Sequence, residues 1–410
     1  VPRRRWLAAL ITIAIVGGAT LAIVRSLPHG PSQTIGGQVS VLGPWRGETL
    51  DTFLAVVSPF EARTGIAVRI VPSSDADELS RRIRGGRAPD LALLRGPLQM
   101  AMLARTGHLI PLDHILDRAV VRAEYGPGWT DLMSVDGVLR GLFISARVQG
   151  LVWYDLAQWR DGGYQVPRTW DEMIMLGQRL AATGKASWCV GGKSQSIAGA
   201  AMMDWIESVL LLTEGAETYD RLIQHRIRWT DQAVRRAWEM FGRIAATTPR
   251  SGSRVLSPCM FHDAMAAGGQ RTMRFRLRRG ADGYGAFALP GDGQHAAIVS
   301  GELIGMLRDT AQSRALAAHL ASGEAQRLVA RRGQALSPHR GIGLDSYRTR
   351  ATRDAAEILA GTDVLRYHAH EVMPPAVSNA FAQAALAYLD APERLDGLLE
   401  NVERVAEDSY

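Results

Sequence analysis

Between residues 38 and 107 the chain alternates short apolar runs with stretches of helical periodicity, and this alternation restricts its fold more than any other feature. Gln38 to Leu42 is predicted as a strand, and Gly43, Pro44 and Gly47 punctuate the loop behind it. Leu50, Phe53, Leu54, Val57 and Phe60 then recur at the spacing of one helix face. Gly65 closes that helix, and Ile66 to Val71 alternates as a strand does. A second helix passes through Leu79 and Ile83, Pro89 and Asp90 introduce a strand over 91–94, and a third helix around Leu98 to Leu103 stops at Gly107. Strand and helix in regular succession predict a mainly parallel sheet covered by helices. Such sheets hold ligands at the carboxyl ends of their strands.

Beyond this the pattern changes. Leu151 to Tyr154 reads as a strand. Thr169, just after Pro167, is placed to cap a helix running to about Leu180, with Glu172 three residues on as its capping-box partner. Helices are predicted over 201–212, 231–246 and 309–320, strands over 283–289 and 296–300, and the C-terminal region reads as largely helical. There is no repeat of fixed period and no long linker, which points to two lobes traded along the chain.

A chain of 410 residues, 47% hydrophobic and 21% charged, has room for two apolar cores. Its formal charge is +6, but Arg3, Arg4, Arg5 and Arg25 supply four of these, leaving only about +2 for the rest. That excess is too small and dispersed for nucleic-acid binding. Arg274, Arg276, Arg278 and Arg279 read as a solvated turn or lobe edge. The N-terminal arginines precede 19 uncharged residues, Trp6 to Val24. At about 1.5 Å per residue a helix of that length spans roughly one hydrocarbon core. Basic residues before such a run hold the N-terminus inside the cell. The sequence thus predicts a single-pass transmembrane helix anchoring an external body through a Pro- and Gly-rich tether, together residues 1–37. The alternative is a cleaved signal peptide, which Gly17, Gly18 and Ala19 would permit.

Catalytic signatures are missing. No His-Glu-x-x-His occurs, the ten histidines are scattered, and no Cys/His cluster has metal-ligand spacing. Gly192-Lys193-Ser194 ends like a phosphate-binding loop, but the glycine such a loop requires is Ser187. Nothing in the sequence draws Ser196, Asp204 and His262 into a triad. No enzyme activity, cofactor or metal is expected, although a glycosidase carboxylate pair leaves no short signature.

Several ordered segments resemble the extracellular solute-binding proteins of sugar ABC importers (family 1), closest to the alpha-glucoside-type branch. They are Gly85-Gly86-Arg87-Ala88-Pro89-Asp90, Asp136-Gly137, Leu151-Val152-Trp153-Tyr154, the Pro167–Glu172 helix start, Trp188-Cys189, Asp204-Trp205-Ile206-Glu207, Pro258-Cys259-Met260 and Met373-Pro374-Pro375-Ala376-Val377. The resemblance spans about residues 39–390. It implies a two-lobed α/β, periplasmic-binding-protein-like fold with a ligand cleft between the lobes. Lobe one would comprise 38–150 with 291–330, and lobe two 151–290 with 331–410. The implied function is capture of a mono- or oligosaccharide by a monomer, delivered to ABC permease subunits that hydrolyse ATP through other partners. The alternative is a sensing or structural protein that has lost transport, since the stretch Phe143 to Gln149 and the run Met260-Phe261-His262-Asp263 depart from the family pattern.

Sugar sites combine aromatic faces with planar polar groups. Trp45, in the first strand-to-helix loop, either faces the ligand or packs beneath the lobe. The resemblance marks Asp204 and Trp205 as cleft residues, Trp188 as a further candidate, and Glu302 as a hydroxyl acceptor. Asp204 and Glu207 share a helix face by spacing, with Glu207 expected to be structural. The resemblance also implies a disulfide between Cys189 and Cys259, against the alternative of two buried thiols.

Overall fold

The computed structural model describes residues 35–75, 77–182, 188, 195–247, 283–291 and 295–410. Its strands, in chain order, are β1 (Gln38–Gly43), β2 (Ala67–Pro72), β3 (Leu91–Leu94), β4 (Ser134–Val135), β5 (Val138–Leu139) and β6 (Leu142–Phe143). They continue as β7 (Arg147–Val148), β8 (Leu151–Asp155), β9 (Tyr284–Ala288), β10 (Ala296–Ser300), β11 (Leu303–Met306) and β12 (Val364–Tyr367).

The alternating N-terminal segment forms the sheet its pattern requires. β1 lies between β2 and β3, parallel to both. Val39, Val41 and Leu42 are buried, the near-continuous apolar run of a strand covered on both faces. The helix Glu48–Thr64 covers the sheet through Phe53, Val56, Val57 and Phe60, and stops where Gly65 takes a left-handed conformation whose N–H donates to the Glu61 carbonyl. Two later segments extend this sheet in the order β2-β1-β3-β11-β6, with β11 antiparallel to both β3 and β6.

A second sheet has the order β12-β10-β7, with β10 parallel to β12 and antiparallel to β7. β8 and β9 pair beside it as an antiparallel ribbon, and β4 and β5 form a short hairpin. The chain therefore passes between the two main sheets three times, from β6 to β7, back from β10 to β11, and again from β11 to β12. Helix Trp170–Ala182 starts as its sequence predicts, the Glu172 N–H donating to Thr169 Oγ1 at 3.2 Å. The Glu172 carboxylate reaches one residue further back than in a regular capping box, accepting from the Arg168 N–H. Helix Gln195–Ile223 is longer than its periodicity suggested, because two helical stretches meet at a kink at Gly215, whose φ of 84° is one that glycine adopts without strain.

Two expectations are corrected. Among the described residues no helix is long and apolar enough to cross a membrane. The longest of them, Gln195–Ile223, carries Asp204, Glu207, Glu214, Glu217, Asp220 and Arg221, charges that hydrocarbon would not accept. The run over 6–24 that suggested an anchor lies outside the described residues, so the transmembrane helix and the membrane-anchored location are withdrawn. Cys189 and Cys259 also lie outside the described residues, and no disulfide occurs among those described.

His319 fastens helix Ala311–Ala321 to helix Glu48–Thr64. Its Nε2 lies 2.8 Å from the Val56 carbonyl, and its Nδ1 lies 3.2 Å from the Arg63 guanidinium. A carbonyl on one side and a cation on the other select the neutral ring protonated at Nε2. Burial, with the Arg63 charge, holds its pKa below the ordinary histidine value. A depressed folded-state pKa gives stability that is complete above about pH 6.5 and lost as pH falls through the folded value. We expect the urea midpoint to drop more between about pH 7.5 and 5.5 in the parent than in His319→Gln, which has no ring to charge. Equal drops would rule out His319 as the source.

Candidate functional site

The loop leaving the carboxyl end of β1 carries Trp45, and the connection from β10 to β11 carries Glu302. Distant in sequence, they meet: Trp45 Nε1 donates to Glu302 Oε1 at 3.2 Å. The Trp45 ring is 2% exposed and stacks on Phe53 with ring centroids 4.1 Å apart. Glu302 is held by the β6–β7 crossing, since its N–H donates to Ser145 Oγ and its carbonyl accepts from the Ile144 N–H. Trp45, Ser145, Arg147, Glu302 and Gln334 border a cavity of about 40 Å³. That holds about one water. A sugar ring would require the walls to separate.

Asp204 and Trp205 occupy helix Gln195–Ile223, and adjacent positions on a helix point in different directions. Trp205 is 1% exposed and sits edge-on to Phe241 of helix Gln232–Ala245, inside the core. Trp188 is also buried, close against Gly177 of helix Trp170–Ala182. Asp204 faces the other way, its Oδ1 3.9 Å from His368 Nδ1. One turn on, Glu207 accepts from the Tyr219 hydroxyl at 3.1 Å and from the Ala369 N–H at 2.8 Å. The two carboxylates share a face, as their spacing predicts. Burial pushes Asp204 up to about 7 and Glu207 up to about 8.

The sequence pattern did not point to the turn these carboxylates face. Immediately after β12 come His368, His370 and Glu371. His368 Nε2 lies 3.3 Å from Glu371 Oε2, and the His368 and His370 rings meet at 3.7 Å between centroids. Burial, together with the His368 charge, holds His370 down to about 4. A β-carbon placed on Gly96 would lie 3.1 Å from the Glu371 carboxylate, so this turn abuts the loop at the carboxyl end of β3. Tyr367 connects the two groups of residues: its hydroxyl donates to the Gly301 carbonyl at 3.4 Å, and its ring is edge-on to His368. The available signal was His-Ala-His-Glu following Val364–Tyr367, a short strand that read as part of a helical region.

These carboxyl-end loops, facing one another across two sheets joined by crossing segments, define a two-lobed α/β fold of the periplasmic-binding-protein kind. The bacterial solute receptor AcbH superposes with a TM-score of 0.70 at 15% identity, over 91% of this chain and 99% of its own. A chitin oligosaccharide binding protein gives 0.69 at 19% identity, over the same shares. Residues 46–233 match the model of the family described as bacterial extracellular solute-binding protein. Osmoprotective compounds-binding protein GgtB of Synechocystis sp. is 33% identical over 389 residues, covering 90% of this chain and 92% of its own. Alpha-glucosides-binding periplasmic protein AglE of Rhizobium meliloti is 27% identical, covering 83% and 80%. The chain belongs to the bacterial extracellular solute-binding proteins; these are binding proteins, and it is not an enzyme.

Proposed function

We propose that the protein captures a polyhydroxylated solute outside the cytoplasm, a mono- or oligosaccharide of the alpha-glucoside kind or an osmoprotectant of related chemistry, and delivers it to the permease subunits of an ABC importer. The placement of Glu302 at this cavity, oriented by the buried Trp45, carries this reading. A carboxylate accepts hydrogen bonds from hydroxyls. The names of the relatives agree in chemistry: GgtB binds osmoprotective compounds and AglE alpha-glucosides. The sheet β2-β1-β3-β11-β6 would form one lobe and the β12-β10-β7 and β8-β9 sheets the other, closing about 144–146 and 301–302. A solute touching both lobes favours the closed pair.

A thermal-shift screen of alpha-glucosides, other saccharides and polyol osmolytes should yield stabilising solutes, because ligand held only by the folded state raises stability. In calorimetry with the best of them, Glu302→Ala should weaken binding about tenfold, the loss of one charge-assisted hydrogen bond. Unchanged affinity in folded Glu302→Ala would reject this pocket. The departures around Arg147 and His262 favour a second reading, a receptor that reports solute to a membrane partner without transport. Uptake of labelled solute abolished by deleting the gene supports import; retained uptake with a lost response supports sensing.

A further inference from the structure

We propose that Asp204, His368 and His370 form a site for one divalent transition-metal ion of the zinc class. One ligand atom from each of the three lies within 4.8 Å of the others, the only such group of three or more His, Cys, Asp or Glu among the described residues. Asp204 Oδ1, His368 Nδ1 and His370 Nδ1 are all buried without a hydrogen-bond partner. Asp204 is 1% exposed and His368 5% exposed. Native interiors rarely leave polar atoms unpaired, and three residues that converge within 4.8 Å while each carries an unpaired buried atom point to an occupant that accepts electron pairs from them.

The surroundings fit a metal better than a hydroxyl. A metal-bound imidazole characteristically gives its other N–H to a carboxylate, which fixes the ring and raises its basicity. Glu371 Oε2 stands 3.3 Å from His368 Nε2, which makes no hydrogen bond as placed, so a small rotation of the ring would give that N–H to the carboxylate with Nδ1 on the Asp204 side. Glu207 pins the same turn by accepting from the Ala369 N–H, between the two histidines. Two imidazoles and one carboxylate form the mixed nitrogen and oxygen set that zinc accepts, whereas magnesium and calcium prefer oxygen alone. Metal–ligand distances of about 2.0–2.2 Å place ligand atoms roughly 3.3–3.5 Å apart. Each side chain therefore needs to move by less than about 1 Å. Three protein ligands leave a fourth position for a solvent or solute oxygen. The site does not depend on the proposed solute: metal binding requires only these side chains, and solute capture requires only the cleft.

The test uses the whole chain without a histidine tag, stripped with EDTA and dialysed. Calorimetric titration with Zn²⁺ should give one equivalent bound, with Mg²⁺ and Ca²⁺ silent, and Co²⁺ should produce the visible absorption of a tetrahedral nitrogen and oxygen site. His370→Ala should weaken Zn²⁺ binding by roughly 100-fold or more, and Glu371→Gln, which touches only the far nitrogen of His368, by roughly 10–100-fold. Circular dichroism establishes that each variant is folded. If His370→Ala does not fold, Glu371→Gln and the Co²⁺ spectrum of the parent decide. Absence of stoichiometric Zn²⁺ binding, or binding equally tight in the folded variants, overturns the proposal. Saccharide titration of the metal-free protein separates the two readings, since solute binding with no metal binding removes this site alone.

Discussion

Replacing Gly301 by alanine should cost about 3 kcal/mol or more of folding stability, because the new methyl group has no space. A β-carbon there would lie 2.1 Å from the Ser145 carbonyl oxygen and 3.0 Å from the Phe143 ring. The oxygen belongs to backbone, which cannot rotate aside as a long side chain can. Gly301 and Ser145 stand where two of the crossings between the sheets run side by side, so relief of the clash must push those crossings apart. Glu302 then moves away from Ser145 and Trp45, and solute affinity should fall with stability. Gly397 provides the contrast. It lies in helix Leu395–Glu407, and a methyl group added there would meet nothing within 4 Å. Alanine at this position should stabilise by about 0.5–1 kcal/mol through helix propensity alone. Urea unfolding of both variants checks the pair, and a Gly301→Ala midpoint equal to the parent's would disprove the close approach.

Asp90→Ala should cost about 3 kcal/mol by removing a carboxylate that stands in for part of a β-ladder. β3 pairs with β1 only from Val41 opposite Leu91, leaving Ser40 one residue short of the ladder. The Asp90 carboxylate supplies the missing acceptor, taking the Ser40 N–H at 2.8 Å and the Ser40 hydroxyl at 2.7 Å, while the Asp90 N–H donates back to that hydroxyl at 3.0 Å. All of this is buried, so alanine strands the Ser40 N–H without water to replace its partner. Asp90→Asn keeps one acceptor oxygen and should lose about half as much. A double-mutant cycle with Ser40→Ala should show a coupling of about 1.5 kcal/mol or more. Additive effects would mean that the two side chains act independently.

Asp90 also shows how far the sequence carries. It stood within a run that resembles the family's first lobe, and Pro89-Asp90 announced the strand that follows; its service to Ser40 depends on β1 and β3 lying side by side. The same division holds at the site. Trp45 is legible because carboxyl-end loops are where such sheets bind ligands, and Glu302 because the resemblance implies an acidic residue there; their hydrogen bond to each other is not legible. The resemblance marks Trp205 as a cleft residue together with Asp204, and the structure turns the two side chains to different sides of their helix. Which face of a helix meets the core depends on its neighbours, and Phe241 claims the tryptophan face.

The sequence by itself determined the β-α succession over 38–107, the stop at Gly65, the Thr169 cap, and the shared face of Asp204 and Glu207. Each is written in residues a few positions apart, where backbone geometry and periodicity decide the outcome. Only the tertiary structure decided that β11 and β6 complete the first sheet, that β10 pairs with β12, and that His368 and His370 close on Asp204. Those contacts join distant parts of the chain, and no local period records them. They are selected when whole apolar faces are buried together and the polar atoms left inside find partners.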